Sequence, residues 1–243
     1  MRRQALLDVV ADIRPRVGGE EGKKCLEIGY GTGIFSYELY RMGFQVFGYD
    51  FSASAFNTAN AVFNTDKQRL HLKRELSEAD HGAYDLLVAL EVLEHNEDDA
   101  QTLLGWRKLI KESGLLLLSV PARMKYFGAQ DRSAGHFRRY EKSSLKTLLE
   151  SCGFEMLNVV NYGFPILNAL RLPARLLVYN KRYKQMQQHT QRARTQMSGA
   201  GHADRYRFHK LSPYRLLVAC SKIQRIFYHC DCGPGYLVAA KKI

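Results

Sequence analysis

The chain has 243 residues, 46% hydrophobic and 25% charged, the balance of a globular protein with a real core. Its longest apolar runs, LLVAL at 86–90 and LLLLSV at 115–120, are strand-sized and far below the roughly 20 residues of a membrane span. The net charge is +12, and the whole excess lies in 165–230, which holds 13 Lys and Arg against the single acid Asp204, while the remainder balances at 23 of each sign.

In chain order, MRRQALLDVVADIRP carries acids and no apolar h-region, so no secretory signal is expected. Leu6, Leu7, Val10 and Ile13 share one face of a helix over 3–14. KKCLEIGY reads as a buried strand, and the pattern Phe35, Leu39, Met42 as a helix that Gly43 stops. FQVFGYD (44–50) is the next strand, and Ser52 is placed to cap a helix over 53–64. QRLHLK (68–73) is a weak strand and YDLLVALEV (84–92) a strong one; a helix over 97–111 ends before Ser113-Gly114. GLLLLSVP (114–121) is a strand closed by proline, SSLKTLLESCGF (143–154) a helix ending in Gly153, and MLNVVNYGF (156–164) and YLVAAKKI (236–243) are the last strands. The five cysteines are odd in number and scattered, and HCDC (229–232) lacks the paired spacing of a zinc site, so free thiols in a reducing cytoplasm and no metal are expected.

This alternation predicts an α/β fold with a doubly wound, mostly parallel sheet of seven strands, helices on both faces and right-handed crossovers. The segment 165–235 interrupts it as a basic, largely helical insertion before the last strand, so the main domain is 1–164 plus 236–243. Ligands in such sheets bind beyond the carboxyl ends of the strands, where CLEIGYGTG (25–33) falls. That loop fits neither G-x-G-x-x-G, since its third position is Ile34, nor a triphosphate loop. Asp50 ends the second strand 21 residues after Gly29, where a carboxylate accepts the two hydroxyls of a ribose. The expected ligand is therefore a nucleoside whose other end is not a pyrophosphate.

CLEIGYGTG, VFGYD, YDLLVALEVLEH and SGLLLLSVP, in that order and spacing, resemble the successive motifs of the class I S-adenosylmethionine-dependent methyltransferases, in the small-molecule branch that includes the ubiquinone-pathway O-methyltransferases. The resemblance covers about 20–160 and the final strand. It implies a Rossmann-like methyltransferase fold, S-adenosyl-L-methionine as cofactor and S-adenosyl-L-homocysteine as product. It implies that Gly29, Gly31 and Gly33 let the backbone approach the methionine moiety, that Glu27 fixes the loop and the ammonium group, that Asp50 takes the ribose and Phe51 packs on adenine. Glu75 and Leu76 occupy the place facing the adenine amine, and Leu90 and Glu91 end strand four beneath the methionine. Tyr30 departs from the family's small residue between the first two glycines, and its bulk is expected to narrow the site near the methionine part.

For the acceptor, His95 in LEVLEH and His136 in DRSAGHFRRY are the candidate bases a hydroxyl acceptor needs; His95 reads equally well as a helix cap or backbone partner. Arg138, Arg139 and Tyr140 form an anion-binding block, or else pin their loop to the body. The expected acceptor is a small molecule, lipid-like or lipid-linked and anionic, with O-methylation favoured. Three readings of the insertion stand together: apolar faces packed on the domain under a solvated charge, an anchor on an anionic membrane surface carried by Ile166, Leu167, Leu170, Leu176, Leu177, Leu216, Leu217, Ile223, Ile226 and Phe227, or an RNA contact. The absence of an N/D-P-P-Y/F block after strand four speaks against extruded-base chemistry. A cofactor-dead scaffold is the remaining alternative, opposed by the intact Glu27, glycines and Asp50.

Overall fold

The computed structural model describes residues 1–17, 22–63, 70–169 and 221–243. Seven strands, β1 (Lys24–Ile28), β2 (Gln45–Tyr49), β3 (Leu70–Lys73), β4 (Tyr84–Leu90), β5 (Ile110–Pro121), β6 (Phe154–Tyr162) and β7 (Gly235–Lys242), form one sheet in the order β3-β2-β1-β4-β5-β7-β6. β1 pairs in parallel with both β2 and β4, and only β7 runs antiparallel, between β5 and β6. The direction of winding reverses between β1 and β4, so a crevice opens there at the carboxyl edge.

The apolar runs are central strands buried on both faces. Leu86, Val88 and Leu90 of β4 and Leu115 and Leu117 of β5 face Ala5, Leu6, Val9, Val10 and Ile13 of helix α1 (Arg2–Val17) and Leu39 of α2 (Ile34–Arg41). Leu87 and Ala89 of β4 and Leu116, Leu118 and Val120 of β5 face the other way, toward Leu103 and Trp106 of α4 (Asp99–Leu109) and Leu145 and Leu149 of α6 (Lys142–Ser151). Period 2 in the strands meets period 3.6 in the helices, and the two cores are the two faces of one sheet.

The helix ends follow the capping residues. The Ser52 hydroxyl accepts the Ala55 N–H at 3.3 Å at the start of α3 (Ala53–Phe63), and the Asp98 carboxylate accepts the Gln101 N–H at 2.8 Å before α4. Two boundaries differ from the sequence reading. β5 begins at Ile110 rather than Gly114, because Ile110 pairs with Tyr84 ahead of a register shift. The 131–140 block begins inside a short helix, α5 (Ala129–Ala134), started by the Gly128 N–H bonding the Asp131 carboxylate at 2.8 Å. Residues 170–220 of the insertion, including Leu170, Leu176, Leu177, Leu216 and Leu217, lie outside the described residues. Among the described residues no helix is long and apolar enough to cross a membrane.

Candidate functional site

The loop after β1 is shaped by three left-handed glycines, Gly29 (φ 71), Gly31 (φ 55) and Gly33 (φ 76). At Gly29 a side chain is also sterically barred, since a Cβ would meet Val92 Cγ2 at 2.6 Å. The Gly29 N–H bonds the Tyr49 carbonyl at 2.8 Å, which ties the loop to the end of β2. Asp50 then holds the two segments together: Oδ2 accepts the Gly31 N–H at 3.0 Å and Oδ1 accepts the Ser52 N–H at 2.8 Å. Burial raises its carboxyl above the usual range. Each oxygen keeps a lone pair for a further donor.

Glu27, at the penultimate position of β1, is buried and accepts the Ser36 hydroxyl from the first turn of α2. Burial, opposed by that hydrogen bond and by the charge of Arg2, pushes its carboxyl up to about 7. Phe51 stands 42% exposed, an uncovered aromatic face at the rim. Leu76 packs against the core with Glu75 exposed beside it. Tyr30 points away from the expected constriction: its ring is buried with Ala55 and Ala59 of α3, against Gly48, where a Cβ would meet Tyr30 Cδ1 at 2.8 Å. The small residue is thus moved from the glycine loop to β2.

Leu90 is buried on the α1 face. Glu91 leaves β4 in the left-handed region (φ 59), an uncommon conformation for a non-glycine residue. Its Oε1 accepts the Ser119 hydroxyl at 3.1 Å and the Tyr162 hydroxyl at 2.9 Å, with an Arg2 Nη1 3.6 Å away. The Arg2 guanidinium lies 5.5 Å from the Phe35 ring centre, so the first turn of α1 covers this end of the crevice with a fixed cation.

Beyond β4, the structure brings the two candidate histidines together. The rings of His95 and His136 meet edge to face at 4.6 Å. His95 Nδ1 lies 3.3 Å from the Gly135 carbonyl; a carbonyl only accepts, so Nδ1 carries the proton and Nε2 is the basic nitrogen. Burial, reinforced by His136, pushes His95 down to about 4, which keeps it neutral at pH 7. His136 Nδ1 faces Asp131 Oδ1 at 3.2 Å. Burial would raise the Asp131 carboxyl, but hydrogen bonds from His136 and Arg139 outweigh it and hold it down at about 2.

A buried acid that the sequence reading did not single out is Glu94. It is 0% exposed, and neither carboxylate oxygen meets a hydrogen-bond donor among the described residues. Burial, and then the charge of Glu91, raises its carboxyl well above the ordinary range. His136 Nε2 is 3.8 Å from its Oε1. Glu94, His95 and His136 each offer one ligand atom, all within 4.8 Å of one another, a donor set that suits a borderline divalent cation. Sequence spacing conceals this group because His136 arrives from the far side of β5, held by the Phe137 N–H bonding the Glu94 carbonyl at 2.8 Å.

The basic block beside it is turned inward. Arg138 pairs with Asp99 at 2.8 Å and donates to the Glu97 carbonyl. Arg139 is buried on Asp131 at 2.8 Å, and the Tyr140 hydroxyl donates to Asp99 at 3.0 Å. These three side chains hold their loop to the body of the protein.

Comparison with known proteins gives a methyltransferase-domain family model that matches residues 1–159. The chain is 30% identical over 113 residues to the ubiquinone biosynthesis O-methyltransferase of Acinetobacter baylyi, covering 44% of this chain and 47% of that one. It therefore spans about half the length of the curated relatives it matches. Among solved structures it is similar to an S-adenosylmethionine-dependent methyltransferase from Mesorhizobium loti (TM-score 0.59, 13% identity, 97% of this chain and 96% of that chain). It is also similar to phosphoethanolamine N-methyltransferase 2 of Haemonchus contortus, solved with S-adenosyl-L-methionine (TM-score 0.58, 17% identity, 97% and 52%). At these identities the two structures speak for the fold.

Proposed function

Since the chain belongs to the class I S-adenosylmethionine-dependent methyltransferase family, we propose that it moves the sulfonium methyl of that cofactor onto an oxygen of a small acceptor. The glycine loop and Asp50 receive the adenosine, with Asp50 accepting the ribose hydroxyls and Phe51 lying on the adenine. Glu27 faces the ammonium group, and Arg2 supplies the cation for the carboxylate of the same amino-acid end. Glu75 and Leu76 border the adenine amine, and Leu90 and Glu91 floor the methionine.

The observation that carries the acceptor reading is the half-buried pair His95 and His136 beyond the end of β4. A neutral imidazole held by its Nδ1 proton presents an unprotonated Nε2 able to accept a proton. It takes the hydroxyl proton as the oxygen attacks. The new O–C bond forms in line as the C–S bond breaks, and the sulfonium leaves as the neutral thioether of S-adenosyl-L-homocysteine. The donor is already activated by its charge, so alignment and exclusion of water supply the rest of the rate. Arg138, Arg139 and Tyr140, committed to Asp99 and Asp131, act by holding His136 in place. Incubation with methyl-labelled cofactor and a set of phenolic and lipid-linked hydroxyl acceptors tests the reading: label in an ether supports it, and label found only in RNA replaces it.

The orphaned Glu94 favours a second route to the same oxygen. A divalent cation on Glu94, His95 and His136 would lower the acceptor hydroxyl's pKa as a Lewis acid, in place of a histidine base. Equilibrium dialysis against Zn²⁺ or Mn²⁺ distinguishes the routes, with Glu94→Gln as the control that loses binding.

For the acceptor's delivery, we favour the lipid-like reading. Ile223 (46% exposed) and Ile226 (77% exposed) project from the helical segment 221–227 beside the exposed Lys222, while Phe227 packs on Phe164. An uncovered apolar face next to basic charge suits an interfacial segment. Flotation with anionic vesicles, weakening with salt, is the expected result; tight salt-sensitive RNA binding without flotation would instead support a nucleic-acid acceptor.

A further inference from the structure

The end of the insertion is not loosely attached. Gln224 is fully buried and joins two separate elements: its Oε1 accepts the Gly163 N–H at 2.9 Å, just after β6, and its Nε2 donates to the Met1 carbonyl at 2.9 Å, at the first turn of α1. One side chain thus satisfies a backbone donor 61 positions before it and a backbone acceptor 223 positions before it. About two turns further along α1, Asp8 receives the Arg225 guanidinium through both oxygens and the Tyr228 hydroxyl at 2.7 Å. The Tyr228 carbonyl in turn accepts the Asn161 N–H of β6 at 2.9 Å, and its ring is buried in the α1 core. The segment 224–228 therefore fastens the amino end of α1 to the sheet.

That end of α1 carries Arg2, whose guanidinium reaches Glu91 at 3.6 Å and the Phe35 ring at 5.5 Å. Phe35 is the neighbour of Ser36, the residue that holds Glu27. A displacement of the first turn of α1 by an ångström or two would take Arg2 off both partners. We propose that Gln224 is a positioning residue for cofactor binding: by bridging Gly163 and Met1 it holds Arg2 over the amino-acid end of the cofactor, so that the return segment of the insertion sets cofactor affinity from outside the crevice. This rests on the reading that S-adenosylmethionine lies under Arg2. It also makes the insertion and the cofactor thermodynamically coupled, since a contact that moves 224–228 moves Arg2, and the effect is reciprocal.

The test is a double-mutant cycle read by calorimetry with S-adenosyl-L-homocysteine. Gln224→Met keeps the length and bulk of the side chain and removes both hydrogen bonds. Arg2→Ala alone examines the underlying reading: unchanged affinity there removes Arg2 from the cofactor site, whatever Gln224 does. Given a loss with Arg2→Ala, Gln224→Met is expected to weaken binding about tenfold in the wild-type background and to add nothing in the Arg2→Ala background. A purely structural role would lower the melting temperature and weaken binding by the same factor in both backgrounds, and that result, or an unchanged affinity for Gln224→Met, overturns the proposal. Should Gln224→Met fail to fold, Arg225→Ala loosens the same fastening from the surface. It must then weaken binding several-fold with the same non-additivity towards Arg2→Ala; no change, or an additive one, overturns the proposal equally.

Discussion

Along the carboxyl edge of the sheet, the half above β1 and β2 takes its polar groups from one short stretch, Glu27 to Ser52, and holds them largely by backbone amides. The half above β4 and β5 gathers Glu94 and His95 from one loop and Asp131 and His136 from another, with Asp131 bound by the side chains of His136 and Arg139 and His95 set on the Gly135 carbonyl. The first plan suits a ligand of fixed shape: left-handed glycines and N–H donors tolerate little variation. The second suits chemistry that depends on protonation, because the carboxyls of Glu94 and Asp131 and the His95 imidazole have their proton affinities set by burial and by their neighbours.

The comparison is broken most severely at the histidines. His95→Ala or His136→Ala is expected to lower turnover by roughly 10²–10⁴-fold while cofactor affinity stays the same. Steady-state kinetics beside calorimetry checks both. If cofactor affinity falls as far as turnover, the two halves are not separate sites.

The second effect sharpens the cofactor half and is read against pH. The Glu27 carboxyl sits at about 7 in the folded protein against an ordinary 4.5. The native state therefore binds the extra proton between those values, and stability present below pH 4.5 is lost as pH rises to about 7, by on the order of 3 kcal/mol. On the proposed reading the ionised form attracts the cofactor ammonium, so affinity is expected to climb through the same window. Glu27→Gln should flatten both the melting-temperature and affinity profiles; a Glu27→Gln protein with the wild-type slope would assign the titration elsewhere.

The smallest effect concerns the inward-turned block. Arg138→Ala removes a partly exposed ion pair with Asp99 and is expected to cost about 0–1 kcal/mol of stability, with the acceptor KM nearly unchanged. A large rise in KM at unchanged stability would return Arg138 to the acceptor site.

The same contrast explains what was legible in the sequence. The glycines, Asp50 and the Ser52 cap are local devices, and local spacing gives them away. So do the strands, because LLVAL and LLLLSV have no place but a sheet buried on both faces. Arg138, Arg139 and Tyr140 have the right chemistry for an anion, but their direction depends on Asp99 and Asp131, which sequence does not place beside them. Tyr30 looked like a constriction until its ring found the space left by Gly48. Nothing in VLEHNEDD sets Glu94 apart; only the tertiary fold leaves its carboxylate without a donor among the described residues and sets His136 against it.

The account rests most on Asp50, which fastens the glycine loop and which we propose accepts the ribose hydroxyls. Calorimetry of S-adenosylmethionine with Asp50→Ala is the direct measurement. We expect a folded protein whose binding is weaker by about 1.5–3 kcal/mol, the loss of charge-assisted hydrogen bonds to the ribose. A folded Asp50→Ala protein with an unchanged dissociation constant would contradict it.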